Sequence, residues 1–362
     1  MTIVLCSCLF IAGLNLMIDP FGFMGSPAIA GLNKFKTERE DYPRLFKAAD
    51  IIRIKPKTIF LGTSTTDYSL EPNHPGLANL QPAYNSALPA VNMYELMRYF
   101  EHTLYNQPEL KQVIIGIDAF IFDQYRPNRV DYDEQRLLTN KRSYHDMFNV
   151  TFSMNAFLAS LKTIGTNLHN SDFQPYAFNG KRNENWFTNS KPAIYRFISS
   201  LNRDLPEIIT LSDERFNNFK KVIEVCRERN IDVKVFMPPL HASVMAGYVL
   251  NDKIKVIEET KRRLVNIIPV WDFSGFNSIT IDPVSNNMKN YVDAFHYRRE
   301  IGNLVLNRLL NFQTQTVPSD FGYLMKPENI DTHFAEIRSQ AKNWLKDNSE
   351  LAKLLQEVGG VK

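Results

Sequence analysis

Two short segments, far apart in the chain, carry the residue types that nucleophilic acyl chemistry needs. The first is Thr58-Ile59-Phe60-Leu61-Gly62-Thr63-Ser64-Thr65-Thr66, an apolar run ending in glycine and then hydroxyls. A strand that stops at Gly-x-Ser places a hydroxyl at the carboxyl edge of a sheet, where α/β proteins build their sites. The second is Asp293-Ala294-Phe295-His296. Serine is a poor nucleophile at neutral pH until a histidine takes its proton, and that histidine needs a carboxylate to fix its tautomer and stabilise the imidazolium. Asp293 and His296 can come from one tight turn. Each segment also has an ordinary structural reading: a βα turn with a helix cap for the first, and a capped helix start for the second. Their occurrence together, in this order, is what points to a shared site.

The elements between them have to bring the two together. Val91 to Tyr105 carries Met93, Leu96, Met97, Phe100 and Leu104 at helical spacing, which predicts a core-facing helix. A strand follows over Lys111 to Ile117. Asp213 to Arg229 reads as an amphipathic helix capped by Ser212, leading into a strand over Asp232 to Met237 and the loop Pro238-Pro239-Leu240-His241. A helix over Lys253 to Leu264, a strand over Ile267 to Phe273 and a helix over Tyr297 to Leu310 complete the series. Strand and helix alternate, so the predicted fold is α/β: a doubly wound, mostly parallel sheet.

The strand-Gly-Thr-Ser near the start and the Asp-x-x-His near the end resemble the SGNH (GDSL-like) hydrolase superfamily, in its membrane-anchored envelope branch related to polysaccharide O-acetylation and acyl-transfer proteins. The resemblance covers roughly residues 55 to 312, with a long unmatched middle. It implies a three-layer α/β/α domain in which Ser64 is the nucleophile and Asp293 and His296 complete a triad. Thr63 stands where the family's first block has Asp. In Ala83-Tyr84-Asn85-Ser86-Ala87-Leu88-Pro89-Ala90, Ala90 takes the place of a glycine whose N–H is an oxyanion donor, and a backbone donor survives that exchange. Gly116-Ile117-Asp118 corresponds best to the third block, with Asp118 where an Asn amide should donate. Ionised, Asp118 only accepts hydrogen bonds and repels a developing oxyanion. Three accounts stay open: Asp118 does another job such as orienting a loop, Asn85 supplies the missing donor, or the site is not a standard esterase.

Length and composition suit one sizeable catalytic domain, since 362 residues with 44% apolar content can bury a large core. A net charge of +3, without a basic stripe, excludes a nucleic-acid footprint. Thr2 to Ile18 is a near-continuous apolar run, about the minimum of roughly 17 residues for a membrane span. With no Lys or Arg before Lys34 it lacks the basic n-region of a signal peptide, and it reads as an uncleaved signal anchor over residues 1–24, placing the catalytic domain outside the cytoplasmic membrane, periplasmic or extracytoplasmic; a buried N-terminal core helix is the alternative. The α/β domain is expected over 25–315. Residues 124–205 break its rhythm and read as a helical and loop insertion over the carboxyl edge of the sheet, a place for a substrate-selecting lid; Asn167 to Phe187 has the polar and aromatic content of a glycan cleft or of an ordinary surface loop. Residues 316–362 read as a polar helical tail packing on the domain or a partner. Cys6, Cys8 and Cys226 give no disulfide framework, and no Cys/His cluster has zinc spacing, so neither metal nor cofactor is implied.

His241 lies at a strand exit without an accompanying carboxylate, which favours a substrate-contacting or structural role over that of a base. Asp272, at another strand exit, reads as a loop cap. The expected activity is that of a serine esterase or O-acyltransferase, water or a sugar hydroxyl being the acceptor, and the envelope resemblance implies acylated glycans or other esters as substrates. The alternative is a catalytically silent, membrane-anchored SGNH-like module serving as a binding or assembly subunit of an envelope polysaccharide system, with envelope-assembly proteins as its expected partners.

Overall fold

The computed structural model describes residues 2–169, 174–183 and 191–359. Helices α1 (Thr2–Ile18) and α2 (Pro43–Ile54) precede β1 (Thr58–Leu61), α3 (Ser64–Ser69), β2 (Ala83–Asn85), α4 (Met93–Asn106) and β3 (Gln112–Gly116). Then come α5 (Glu134–Leu137), α6 (Tyr144–Phe152), α7 (Met154–Leu168), α8 (Ala193–Asp204), α9 (Asp213–Glu228), β4 (Asp232–Met237), α10 (Ala242–Leu250) and α11 (Ile254–Val265). The chain continues through β5 (Val270–Asp272), α12 (Arg299–Leu309), β6 (Tyr323–Met325), α13 (Ile330–Asp347) and α14 (Ser349–Gly359).

The strands form one six-stranded sheet in the order β2-β1-β3-β4-β5-β6. All neighbours are parallel except β6, which runs antiparallel to β5. Because side chains alternate across a strand, each central strand feeds two cores. Ile59, Leu61, Val113, Ile115 and Val235 pack with residues of α2, α4 and α9 on one face. Phe60, Ile114 and Phe236 pack with residues of α8, α10 and α12 on the other. The protein is thus an α/β protein with helices on both faces of a mostly parallel sheet. The chain leaves β1 towards β2 on one side and later reaches β3 on the other, so a topological switch point falls between β1 and β3. Crevices at the carboxyl ends of strands open there.

Three expectations change. The span expected at the N-terminus is not supported: α1 has 17 residues, and among the described residues no helix is long and apolar enough to cross a membrane. Its second half is instead tied to the insertion, with Asn15 Nδ2 donating to Thr151 O at 3.0 Å and Asn15 Oδ1 accepting from Ser160 Oγ at 2.9 Å. The insertion is accordingly not a single cover over the sheet edge. Its helices α6 and α7 pack on α1, whereas Arg182 and the end of α8 reach the sheet edge. The tail is more than helical, since β6 extends the sheet and both Phe334 and Leu355 are buried in the cores. Glu184, Asn185, Trp186 and Phe187, part of the glycan-cleft expectation, lie outside the described residues.

Candidate active site

Gly62 makes the turn that carries Ser64 possible. Its φ of +148° lies where side chains are disfavoured, and a Cβ there would sit 2.5 Å from Thr66 Oγ1 and 2.7 Å from Gly116 O. Thr63 is the N-cap of α3, its hydroxyl accepting from Thr65 N at 3.4 Å. Ser64 is therefore the first helical residue, held at the carboxyl end of β1 beside the switch point.

His296 and Asp293 come from a loop closed by a bridge between Tyr291 and Tyr297, with Val292 N donating to His296 O at 2.8 Å. Three neighbours brace it. His241 N donates to Ala294 O at 3.1 Å, Ala294 N donates to Ser200 Oγ at 3.1 Å, and Ser69 Oγ donates to Tyr297 O at 2.6 Å. Gly302 lets α12 lie directly on α3, since a Cβ there would be 2.0 Å from Ser69 O. The helix that carries Ser64 and the loop that carries His296 are thus fastened together.

The outcome is a linear relay. Ser64 Oγ lies 2.9 Å from His296 Nε2, and His296 Nδ1 lies 3.0 and 2.9 Å from the two Asp293 oxygens. Asp293 Oδ1 also accepts from the backbone N–H groups of Phe295 and His296, both at 2.8 Å. It caps its own turn and not a helix, because the following helix starts only at Arg299. Burial opposes the charge on Asp293, but His296 and the two N–H donors outweigh it and hold the carboxyl below its ordinary range. Burial likewise opposes an imidazolium at His296, and the Asp293 carboxylate overcomes it, raising the imidazole above its ordinary value. Such an arrangement can take a proton from a serine hydroxyl and return it to a leaving group.

The other residues singled out from the sequence fall into two groups. Ala90 lines the same cavity as Ser64 and has a left-handed φ of +52°. Among the described residues neither Ser64 N–H nor Ala90 N–H donates a hydrogen bond, which leaves both available as backbone donors to an oxyanion. Asp118 also lines the cavity, at the end of β3, but its Oδ2 accepts from the hydroxyls of Thr63 and Thr65. Burial raises its carboxyl above the ordinary range, and the two threonine hydroxyls partly offset this. Of the accounts left open, orienting the Thr63-Ser64-Thr65 turn is the one its contacts match.

Asn85 and His241 are placed elsewhere. The Asn85 amide donates to Thr66 O at 3.0 Å and Leu70 O at 3.1 Å, and its oxygen accepts from Ala87 N at 3.1 Å. It holds α3 against β2 with no free donor for an oxyanion. His241 is buried; its Nδ1 accepts from Ser243 N at 3.1 Å and its Nε2 lies 2.7 Å from Asp282 O. It caps α10 and pins the loop that carries His296, a structural role. Asp272 accepts from Ser274 N at 2.9 Å and pairs with Lys261 at 2.5 Å and His333 at 2.8 Å, so it caps its loop as expected.

A cavity of about 300 Å³ opens beside Ser64 and His296. The sequence reading missed several of its residues: Tyr68, whose ring centre is 5.3 Å from that of His296, and Arg126 and Tyr248, while Arg182 falls in the segment read as a glycan cleft or surface loop. Only the threonine pair flanking Ser64, with an Asp at a neighbouring strand exit, carried a signal that could have been used. Away from the cavity, Asp133, His145 and Asp146 bring ligand atoms within 4.8 Å of one another. Asp146 is already held there by Arg136, at 2.7 and 2.9 Å. No protein-family model, curated protein or solved structure matches the chain.

Proposed function

We propose that this protein is a serine esterase or O-acyltransferase with an SGNH-like fold, acting on acylated cell-envelope glycans through Ser64, His296 and Asp293. The reading rests on one observation: Ser64 Oγ, His296 and Asp293 form a continuous hydrogen-bonded relay at 2.9 to 3.0 Å. In the proposed cycle, His296 Nε2 takes the Ser64 proton as Oγ adds to an ester carbonyl, and Asp293 stabilises the imidazolium. The N–H groups of Ser64 and Ala90 receive the oxyanion. His296 then protonates the departing alkoxide, and water or a sugar hydroxyl releases the acyl group by the reverse proton path. Envelope glycans as substrate follow from the sequence resemblance, and an extracytoplasmic location with membrane contact through the N-terminal segment follows from the apolar run Thr2 to Ile18. The exposed side chains of Ile3, Val4, Leu5, Leu9 and Phe10 on α1 support contact with an apolar phase.

A second reading, a silent SGNH-like module serving envelope assembly, draws support from Asp118, which puts a hydrogen-bond acceptor where a donor to the oxyanion was expected. Labelling of the full chain by a fluorophosphonate, together with hydrolysis of p-nitrophenyl acetate, separates the two. The esterase reading expects both in the wild type and neither in Ser64→Ala, with His296→Ala strongly impaired. A folded wild type that does neither would leave the silent module as the better account.

A further inference from the structure

The cavity beside Ser64 differs sharply between its two ends. Its outer part carries charge: Arg203 is 64% exposed, Asp204 30% and Glu207 41%. Its inner part is buried: Ile117, Met237, Met245 and Ile257, each no more than 6% exposed, make an apolar wall, with the Asp118 carboxyl held by Thr63 and Thr65 at its Ser64 end. The sheet order fixes its direction. Ser64 follows β1, Ile117 follows β3 and Met237 ends β4, and these three strands are neighbours. From the nucleophile the apolar wall therefore extends across two strand spacings, on the order of 10 Å. Met245 and Ile257 add the far side from α10 and α11. Ile209, Tyr248 and Ile257, together with Glu207, also line a second hollow of about 240 Å³ that carries Asp252, Lys253 and Lys255 as well, so the two hollows adjoin on that side.

An acetyl group would touch little of this surface. We infer that the acyl group taken up by Ser64 is a medium-length hydrocarbon chain, seated along Ile117, Met237, Met245 and Ile257, with the polar alcohol part of the ester leaving through the charged outer end. The inference rests on the serine chemistry proposed above and specifies its substrate. In the first step the bond from Ser64 Oγ to the acyl carbon forms and the bond from that carbon to the alcohol oxygen breaks. The serine proton passes through His296 to the departing alcohol. In the second step water, or an acceptor hydroxyl, adds to the acyl carbon and loses its proton to His296, which returns it to Ser64 Oγ as that bond breaks.

The test is a chain-length series on the full chain, using p-nitrophenyl acetate, butyrate and octanoate, run beside fluorophosphonate labelling. The expected result is a kcat/KM that climbs by about fourfold per added methylene, the factor that about 0.8 kcal/mol per buried CH2 supplies. Met245→Trp and, separately, Ile257→Trp should lower the octanoate-to-acetate ratio by roughly tenfold, the scale of discrimination in a shortened apolar pocket. Thermal melts identify any variant that has lost its fold, and the series on the native chain decides the matter without them. A labelled Ser64 that turns over acetate as well as octanoate overturns the acyl-chain inference and leaves the serine chemistry standing. Absence of both labelling and turnover overturns the two together.

Discussion

Asp118 Oδ2 accepts a hydrogen bond from the Thr65 hydroxyl at 2.9 Å, and the same oxygen accepts from Thr63. The carboxylate at the end of β3 thus grips both neighbours of Ser64. Asp118→Ala removes the shared acceptor of two buried hydroxyls, leaving them a 3.3 Å contact with each other, and should destabilise the protein by about 1–3 kcal/mol. Asp118→Asn retains an acceptor oxygen and removes a negative charge from the side of the oxyanion, so it should stay close to wild-type stability and react faster with a fluorophosphonate. Urea unfolding and labelling rates check both; an Asp118→Ala protein as stable as wild type would discard the orienting role.

The pH profile of kcat/KM should show an acid limb belonging to His296. Only the neutral imidazole accepts the serine proton, so activity is lost as pH falls through its pKa. The Asp293 carboxylate raises that pKa against the effect of burial, which puts the limb above the ordinary imidazole value of 6.5. In Asp293→Asn the charge is gone and the limb should move to lower pH, with a rate loss on the order of ten-thousandfold from the lost orientation and charge. A limb unmoved by Asp293→Asn would assign it to another group.

Gly62→Ala forces a side chain into a backbone at φ +148°, against Gly116 O at 2.7 Å. Because backbone has to yield, a loss of about 1–3 kcal/mol is expected from conformational strain alone. Displacement of the Thr63-Ser64 turn should lower the labelling rate even in protein that remains folded. Denaturant midpoints and labelling time courses report the two effects separately.

His241 gives the fold a pH dependence of its own. Burial lowers its imidazole to about 4, from an ordinary 6.5. Between those values the unfolded chain binds the proton and the folded chain does not, so the stability this neutral imidazole supports is full above 6.5 and is lost as pH falls towards 4. The slope is at most about 1.4 kcal/mol per pH unit. His241→Asn keeps a side chain able to cap α10 and should flatten the fall in urea midpoint between pH 7 and pH 5; equal slopes in the two proteins would contradict this.

The sheet was legible because its strands announce themselves. Asp232 to Met237 is a strand with the bounds the pattern predicts, and Asp213 to Glu228 starts at the Ser212 cap as expected. The Ser64 turn was legible for the same reason, as a strand, a glycine and hydroxyls in succession. Tyr323–Met325 was hidden: three residues carry no period, and only pairing with Val270–Asp272 makes them a strand. The role of Asp118 was hidden too. Its partners are Thr63 and Thr65, more than fifty positions earlier, and sequence spacing records no such contact. The apolar run at the start was read by composition, which distinguishes a lipid-facing helix poorly from one that packs by its second half against helices of an insertion.

The bond between Ser64 and His296 joins residues 232 positions apart. While the chain is being made, the hydroxyl therefore emerges long before its base, and stays an ordinary alcohol through most of synthesis. On the serine chemistry proposed above, activation of that hydroxyl waits for the loop that bears His296, which the Ser69–Tyr297 bond fastens to α3. On that chemistry the site is timed by completion of the fold, since a nascent chain carries the serine without its base.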